Sequence, residues 1–266
     1  MESALITLRD AVARYGRTTV LGPISMSVHR GDFIGVVGPN GSGKTTLLRL
    51  LSGQVKARAN HPHSQVDITA SPPRRSTLGQ RNIAFLFQHH THTPTIPFTV
   101  EDIVYFGRTG GRGFGRSYTK TDHDAVATAL QAMGLASFRR RLYRELSGGE
   151  KQKTQFARLL AQQADVHLLD EPTAGLDLDW QERVSGLTDE LHSTYDKSIV
   201  MVTHDVDRLP SCCNRVLLLR QGRVLAHGAP EECLVPDLLE KLYGCRMEVL
   251  RKDGRYHAFS RRSEGA

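Results

Sequence analysis

Short apolar runs bounded by polar or glycine-containing stretches recur along the chain, and segments with helical spacing of apolar residues stand between them. Residues 5–8, Phe33–Val37, and residues 83–87, 166–169, 198–202 and 215–219 have the length and composition of buried strands. Lys44–Leu51 carries leucines at 47, 50 and 51, one face of a helix, and Gly53 closes it. Val126, Leu130 and Met133 repeat that spacing behind the capping candidates Thr121 and Asp122. Phe156, Leu159 and Leu160 do the same behind Ser147. Strands alternating with helices predict an α/β fold around a mainly parallel sheet.

One long stretch breaks the alternation. From about residue 92 to residue 163 no strand pattern is evident, only helical segments around a Gly/Arg-rich run at 107–115, which predicts a helical insertion in the α/β core. Residues 55–78 are polar and hold three of the eleven prolines, so they predict surface loops with at most short edge strands. Past residue 228, Leu234, Leu238, Leu239 and Leu242 predict a short amphipathic helix. Residues 247–250 and 256–259 then predict a hairpin around Asp253 and Gly254.

Composition narrows the class. The 266 residues make one or two domains, and 39% hydrophobic residues plus 24 glycines is a globular balance. The longest apolar runs, 83–87 and 199–202, are far too short to span a bilayer. The beginning MESALITLRD lacks the basic and apolar regions of a secretory signal, which predicts a cytosolic protein. Cys212 and Cys213 are adjacent, Cys233 and Cys245 lie apart, and no CxxC pair suggests zinc or redox work. The net charge of +7 is scattered, apart from Arg139–Arg141 with Arg144, so a solvated surface explains it at least as well as a polyanionic partner.

The chemistry starts at Gly38–Thr45, GPNGSGKT, placed between the strand Phe33–Val37 and the leucine-faced helix. Glycines 38, 41 and 43 let the backbone wrap a phosphate with its N–H groups inward, and the helix N-terminus adds its positive end. Lys44 reaches β- and γ-phosphates in such a loop, and the Thr45 hydroxyl ligates Mg²⁺. Residues 166–169 run into Asp170, a candidate Mg²⁺ ligand, and Glu171, a candidate general base for an attacking water. In LSGGE, Ser147 and Glu150 have capping-box spacing, while Gly148 and Gly149 strip the helix entrance of side chains. That makes a second anion-binding helix start in one chain, a pair of sites that a dimer would reconcile.

The ordered set of the P-loop 38–45, Gln88 behind a strand, LSGGE at 146–150, LLDEPT at 168–173, AGLD at 174–177 and His204 at a strand end resembles the ATP-binding cassette (ABC) ATPases over nearly the whole chain. The resemblance implies a P-loop NTPase core with a small antiparallel β part and an inserted helical subdomain. The core would take residues 1–91 and 164–228, the helical signature subdomain 92–163, and a C-terminal extension 229–266. It implies ATP held by Gly38, Pro39, Asn40, Gly41, Ser42, Gly43, Lys44, Thr45 and Thr46, with Tyr15 stacked on adenine. Mg²⁺ would sit on Thr45, Gln88 and Asp170. Glu171, His204, Lys44 and Gln88 would carry hydrolysis. Ser147, Gly148, Gly149 and Asp177 would meet the nucleotide and the interface of a second subunit. Two departures stand out: Lys151-Gln152-Lys153-Thr154 replaces an arginine-rich run, and Pro210 would cut short the helix expected after His204.

The family further implies a homodimer, or a pair with a close paralogue, on permease subunits at the cytoplasmic face of the cell membrane, with a substrate-binding protein engaged indirectly. One cassette, without a charged inter-cassette linker, coiled coil or zinc insertion, argues against a nucleic-acid partner. Residues 96–126 resemble the FTVEDVV-x-x-GR pattern of zinc and manganese importer ATPases, and that cargo is preferred; ferric siderophore, haem and cobalamin importers share the TVxDxVxxGR part and form the alternative. The histidines at 61, 63, 89, 90 and 92 lack metal-ligand spacing and are read as a polar loop.

Overall fold

The computed structural model describes residues 4–55, 65–68, 83–86, 97–109 and 117–261. In chain order the elements are β1 (Ile6–Tyr15), β2 (Thr18–Val28), β3 (Phe33–Val37), α1 (Lys44–Leu51), β4 (Gln65–Ile68), β5 (Ile83–Leu86), α2 (Val100–Thr109), α3 (Lys120–Ala132) and α4 (Gly148–Gln162). There follow β6 (Val166–Asp170), α5 (Leu178–Ser193), β7 (Ser198–Thr203), β8 (Arg215–Arg220), β9 (Arg223–Gly228), α6 (Pro230–Cys233), α7 (Pro236–Tyr243), β10 (Met247–Lys252) and β11 (Arg255–Ser260).

A six-stranded sheet runs in the order β5-β6-β7-β3-β8-β9. Every neighbouring pair in it is parallel except β8 with the edge strand β9. The order is not sequential because each parallel return needs a crossover, and the helices and loops between strands supply it. An antiparallel sheet, β2-β1-β4, lies apart from it, and β10 and β11 make a two-stranded hairpin. The fold is therefore the α/β class expected, with the small antiparallel part. Among the described residues no helix is long and apolar enough to cross a membrane.

The strands β3, β6 and β7 are buried along their whole lengths, and alternate residues serve different cores. Ile34, Val36, Leu168 and Val200 pack with the four leucines of α1 and the inner face of β1 and β2. Phe33, Leu169, Ile199 and Met201 pack with residues of α2, α3, α4 and α5. A third cluster joins Val37, Val206 and Val216 to Leu234, Leu239 and Leu242 of the C-terminal region. The helices α2, α3 and α4 are knitted by Arg108, which donates to Asp122 at 2.9 Å and to the Ala161 carbonyl at 2.7 Å.

Lys44–Leu51 forms the expected helix with the expected ends, and the C-terminal helix and hairpin also form. Three differences have physical causes. Helix α3 is capped by Thr119, with Asp122 at its third position closing a capping box, so the start lies before Thr121. Strand β2 was not anticipated, because Gly22-Pro23 interrupts its alternation; its pairing with β1 shifts register where Ala11 faces Ile24. The apolar spacing does not predict helix α5 either: only Val184, Thr188 and Leu191 are buried on it, too thin a stripe to stand out from its polar surroundings.

Candidate functional site

Strand β3 ends on Val37, and the chain turns through Gly38–Gly43 into α1. Gly38 lies so close to β8 that an added Cβ would stand 2.1 Å from the Leu219 carbonyl oxygen, which no side chain tolerates. Gly43 caps α1 with φ 102°, a left-handed conformation that glycine adopts without strain. Both glycines are thus fixed by the backbone path that forms the loop. Ser42, Lys44 and Thr46 are buried; Asn40 and Gly41 are exposed at the loop crest. The Lys44 ammonium donates back to the Gly38 carbonyl at 2.7 Å and to that of Pro39 at 3.1 Å.

β6 delivers two acids to this loop. In an extended strand consecutive side chains face opposite ways. Here Asp170 closes the strand and Glu171 turns through φ 47°, with its N–H bonded to the Val202 carbonyl at 3.0 Å. The turn brings both carboxylates to bear on Lys44. Burial lowers the Lys44 pKa, while Glu171 and then Asp170 pull it up. Glu171 Oε1 stands 4.0 Å from Lys44 Nζ and 3.2 Å from His204 Nδ1, just past the end of β7. Asp170 is 2% exposed, and its Oδ1 has no hydrogen-bond partner among the described residues. Burial raises the Asp170 pKa; a hydrogen bond with Thr45 opposes this, and the nearby Glu171 adds to it. Ser42 Oγ is likewise buried and partnerless. A lysine, two carboxylates and a hydroxyl converging on a glycine-rich loop at a helix start form an arrangement suited to a phosphorylated ligand with an oxygen-bound cation. Tyr15, 46% exposed, reaches Arg49 of α1 at 3.5 Å, so an open aromatic face flanks the loop.

The LSGGE segment is placed elsewhere. Ser147 caps α4 and accepts from the Glu150 N–H at 3.3 Å, while Glu150 Oε2 accepts from the Ser147 N–H at 2.8 Å. Among the described residues, an added Cβ at Gly148 or Gly149 would meet nothing within 4 Å. Packing within the chain therefore does not demand glycine at either position. Among the described residues no hydrogen bond or ion pair joins Ser147, Gly148 or Gly149 to the Gly38–Thr46 loop. Asp177 caps α5 by accepting from Trp180 N–H at 3.0 Å, and Leu178 beside it is 74% exposed. Gln88 and the five histidines of residues 61–92 lie outside the described residues.

Two residues link these parts without having been singled out as site residues. Gln152, buried on α4, donates to the Pro172 carbonyl at 2.6 Å, one residue after Glu171. The Lys153 ammonium sits 3.3 Å above the Trp180 ring, tying α4 to the start of α5. The departure from an arginine-rich run thus has a local use, since a compact ammonium seats over the indole with Arg183 4.8 Å away. The sequence signal was the departure itself; its partner, distant in the chain, was invisible. Pro210 follows only a 3-10 turn, Val206–Arg208, so the shortened helix is found.

Residues 21–174 match the family described as ABC transporter. Over 236 residues the chain is 33% identical to the ferric enterobactin transport ATP-binding protein FepC of Escherichia coli K12, spanning 89% of this chain and 86% of that one. It is 37% identical over 240 residues to the hemin import ATP-binding protein HmuV of Streptomyces coelicolor, spanning 88% and 81%. A bacterial ABC transporter cassette solved as a dimer matches it with a TM-score of 0.70 at 25% identity, over 84% of this chain and 98% of that one.

Proposed function

The chain belongs to the ABC transporter family as an ATP-binding, ATP-hydrolysing subunit, and from that premise we propose that it powers import of a chelated metal, with Glu171 as the general base. The observation that carries the base assignment is the Glu171 carboxylate held 4.0 Å from Lys44 and 3.2 Å from His204. ATP would lie along Gly38–Thr46 with its adenine on Tyr15. Lys44 would exchange the Gly38 and Pro39 carbonyls for β- and γ-phosphate oxygens. Thr45 and Asp170, with Gln88 behind β5, would hold Mg²⁺; the orphaned, buried Asp170 Oδ1 supports this. When bound, that ion neutralises phosphate charge and fixes the phosphate geometry. Glu171 takes a proton from water as its oxygen attacks the γ-phosphorus and the bond to the β–γ bridging oxygen breaks, releasing ADP. His204, exposed on its outer side, would bind the γ-phosphate.

A second copy, or a close paralogue, completes each site. Open glycines at 148 and 149, without an internal packing reason, and the exposed Leu178 beside Asp177 support a facing surface. Closure on two nucleotides would be a population shift driven by tighter ATP binding to the closed pair. Relatives named for transport and import support permease partners, a substrate-binding protein engaged indirectly, and a place at the cytoplasmic face of the cell membrane.

The cargo preference changes. Residues 96–126 favoured zinc or manganese, yet the relatives are named for ferric enterobactin and hemin, both iron chelates. The TVxDxVxxGR part is common to both importer groups, and in this chain, as residues 99–108, it makes nearly the whole of α2, a scaffold of the helical region. In the source cell, replacing the chain with its Glu171→Gln form tests both readings. Purified, that variant should bind ATP and hydrolyse it about 10²–10⁴-fold more slowly; a normal rate would remove Glu171 as the base. Cells carrying it should fail to take up iron supplied only as a siderophore or haem chelate. A fall in total zinc or manganese instead would restore the free-metal reading.

A further inference from the structure

The C-terminal extension is built onto the loop that carries His204. The Tyr243 hydroxyl, at the end of α7, donates to the His204 carbonyl oxygen at 2.9 Å. Three residues on, Asp207 accepts from the Ala258 N–H of β11 at 2.8 Å and lies 3.3 Å from His257 Nδ1. From the same hairpin, Arg255 donates to Glu182 at 3.1 Å and to Ser185 at 3.3 Å, both on α5, whose N-cap is Asp177. The ring of Tyr243 packs on the apolar cluster of Leu239, Leu242 and Val206, which also holds Val37 at the entrance of the Gly38–Thr46 loop.

The Tyr243 bond restrains the His204 backbone, and the others tie the hairpin to side chains of Asp207, Glu182 and Ser185; none touches reacting atoms. The His204 imidazole meets Glu171 Oε1 at 3.2 Å while more than half exposed, so little side-chain packing fixes its place. Displacement of the backbone at His204 would carry the Cα, and the imidazole with it, away from Glu171, and the hydrogen bond to the His204 carbonyl opposes that displacement. Burial, with Asp205 and Asp207 adding, holds the Tyr243 phenol well above its ordinary pKa, so it stays a neutral donor. We propose that Tyr243 is a positioning residue for hydrolysis: through its hydroxyl, the C-terminal extension sets where His204 stands relative to Glu171. The inference rests on the reading of His204 given above.

Tyr243→Phe removes one hydroxyl and keeps the packed ring. In the full chain with MgATP, kcat should fall about fivefold while KM for ATP stays within about twofold, the signature of misplacement rather than lost binding. The ¹⁵N resonances of the His204 ring, assigned by their loss in His204→Ala, should shift in Tyr243→Phe, while those of His192 stay in place. An unchanged kcat, or a lowered kcat with the His204 resonances unmoved, would overturn the proposal. Failure of the underlying reading looks different: His204→Ala would then hydrolyse ATP at the wild-type rate, whatever the resonances in Tyr243→Phe do.

Discussion

At the scale of single residues, Asp170 shows how function sets a cost in stability. Burial lifts its pKa, the neighbouring Glu171 carboxylate adds to the lift, and Thr45 and Lys44 only partly offset it. A carboxyl whose folded pKa is raised contributes stability below its unfolded pKa, and loses it as pH rises through the folded value. Above the folded value the nucleotide-free chain therefore carries an unfavourable buried charge. Asp170→Asn should raise the melting temperature of the nucleotide-free protein by about 2–4 °C at pH 8. The gain should vanish near pH 3, and MgATP hydrolysis should fall at least about 10²-fold. Thermal melts at both pH values, with a Mg²⁺-dependent ATPase assay, check this. The identities of Asp170 and Glu171 were legible from their place behind an apolar run. That Glu171 turns through a positive φ, so that both acids serve Lys44, was not, because strand alternation alone sends neighbours to opposite faces.

At the scale of elements, β6 couples that site to the helical side of the sheet. His167, three residues before Asp170, is fully buried and neither ring nitrogen has a hydrogen-bond partner among the described residues. Burial, with Lys197 adding and Asp165 opposing, lowers its pKa to about 4. For a histidine depressed in this way, stability is complete above the unfolded value of about 6.5 and is lost as pH falls toward the folded one. Between pH 7 and pH 4.5 this group alone removes about 2–3 kcal/mol. His167→Leu should flatten that part of the pH profile, which urea denaturation at the two pH values measures; equal acid losses in both proteins would discount the assignment. The pattern of apolar positions predicted β6 and its neighbours, since an all-buried parallel strand reads as a continuous apolar run. It did not reveal β2 or α5. One is broken by Gly22-Pro23, and the other buries only three side chains.

At the scale of the whole molecule, the two helix starts read as anion sites share no hydrogen bond or ion pair among the described residues. The Gly38–Thr46 loop is closed in by Lys44, Glu171 and His204, whereas the entrance of α4 at Ser147 stands open. In a Glu171→Gln background, MgATP should drive the chain into a dimer resolvable by size-exclusion chromatography. Adding Ser147→Arg should hold it monomeric, with a melting temperature lowered only by the loss of one cap, about 1 kcal/mol. A dimer that survives the arginine would place the interface elsewhere. Periodicity, turn chemistry and short motifs determined the α/β class, the phosphate loop, the paired acids and the capped glycine-rich helix start, because each depends on residues near one another in the chain. Only the tertiary structure decided which distant groups meet: Lys153 over Trp180, Gln152 on the Pro172 carbonyl, and Tyr243 on the His204 carbonyl. Such pairings are set by the crossover order of the sheet and the packing of its two faces, long-range constraints that no local pattern encodes.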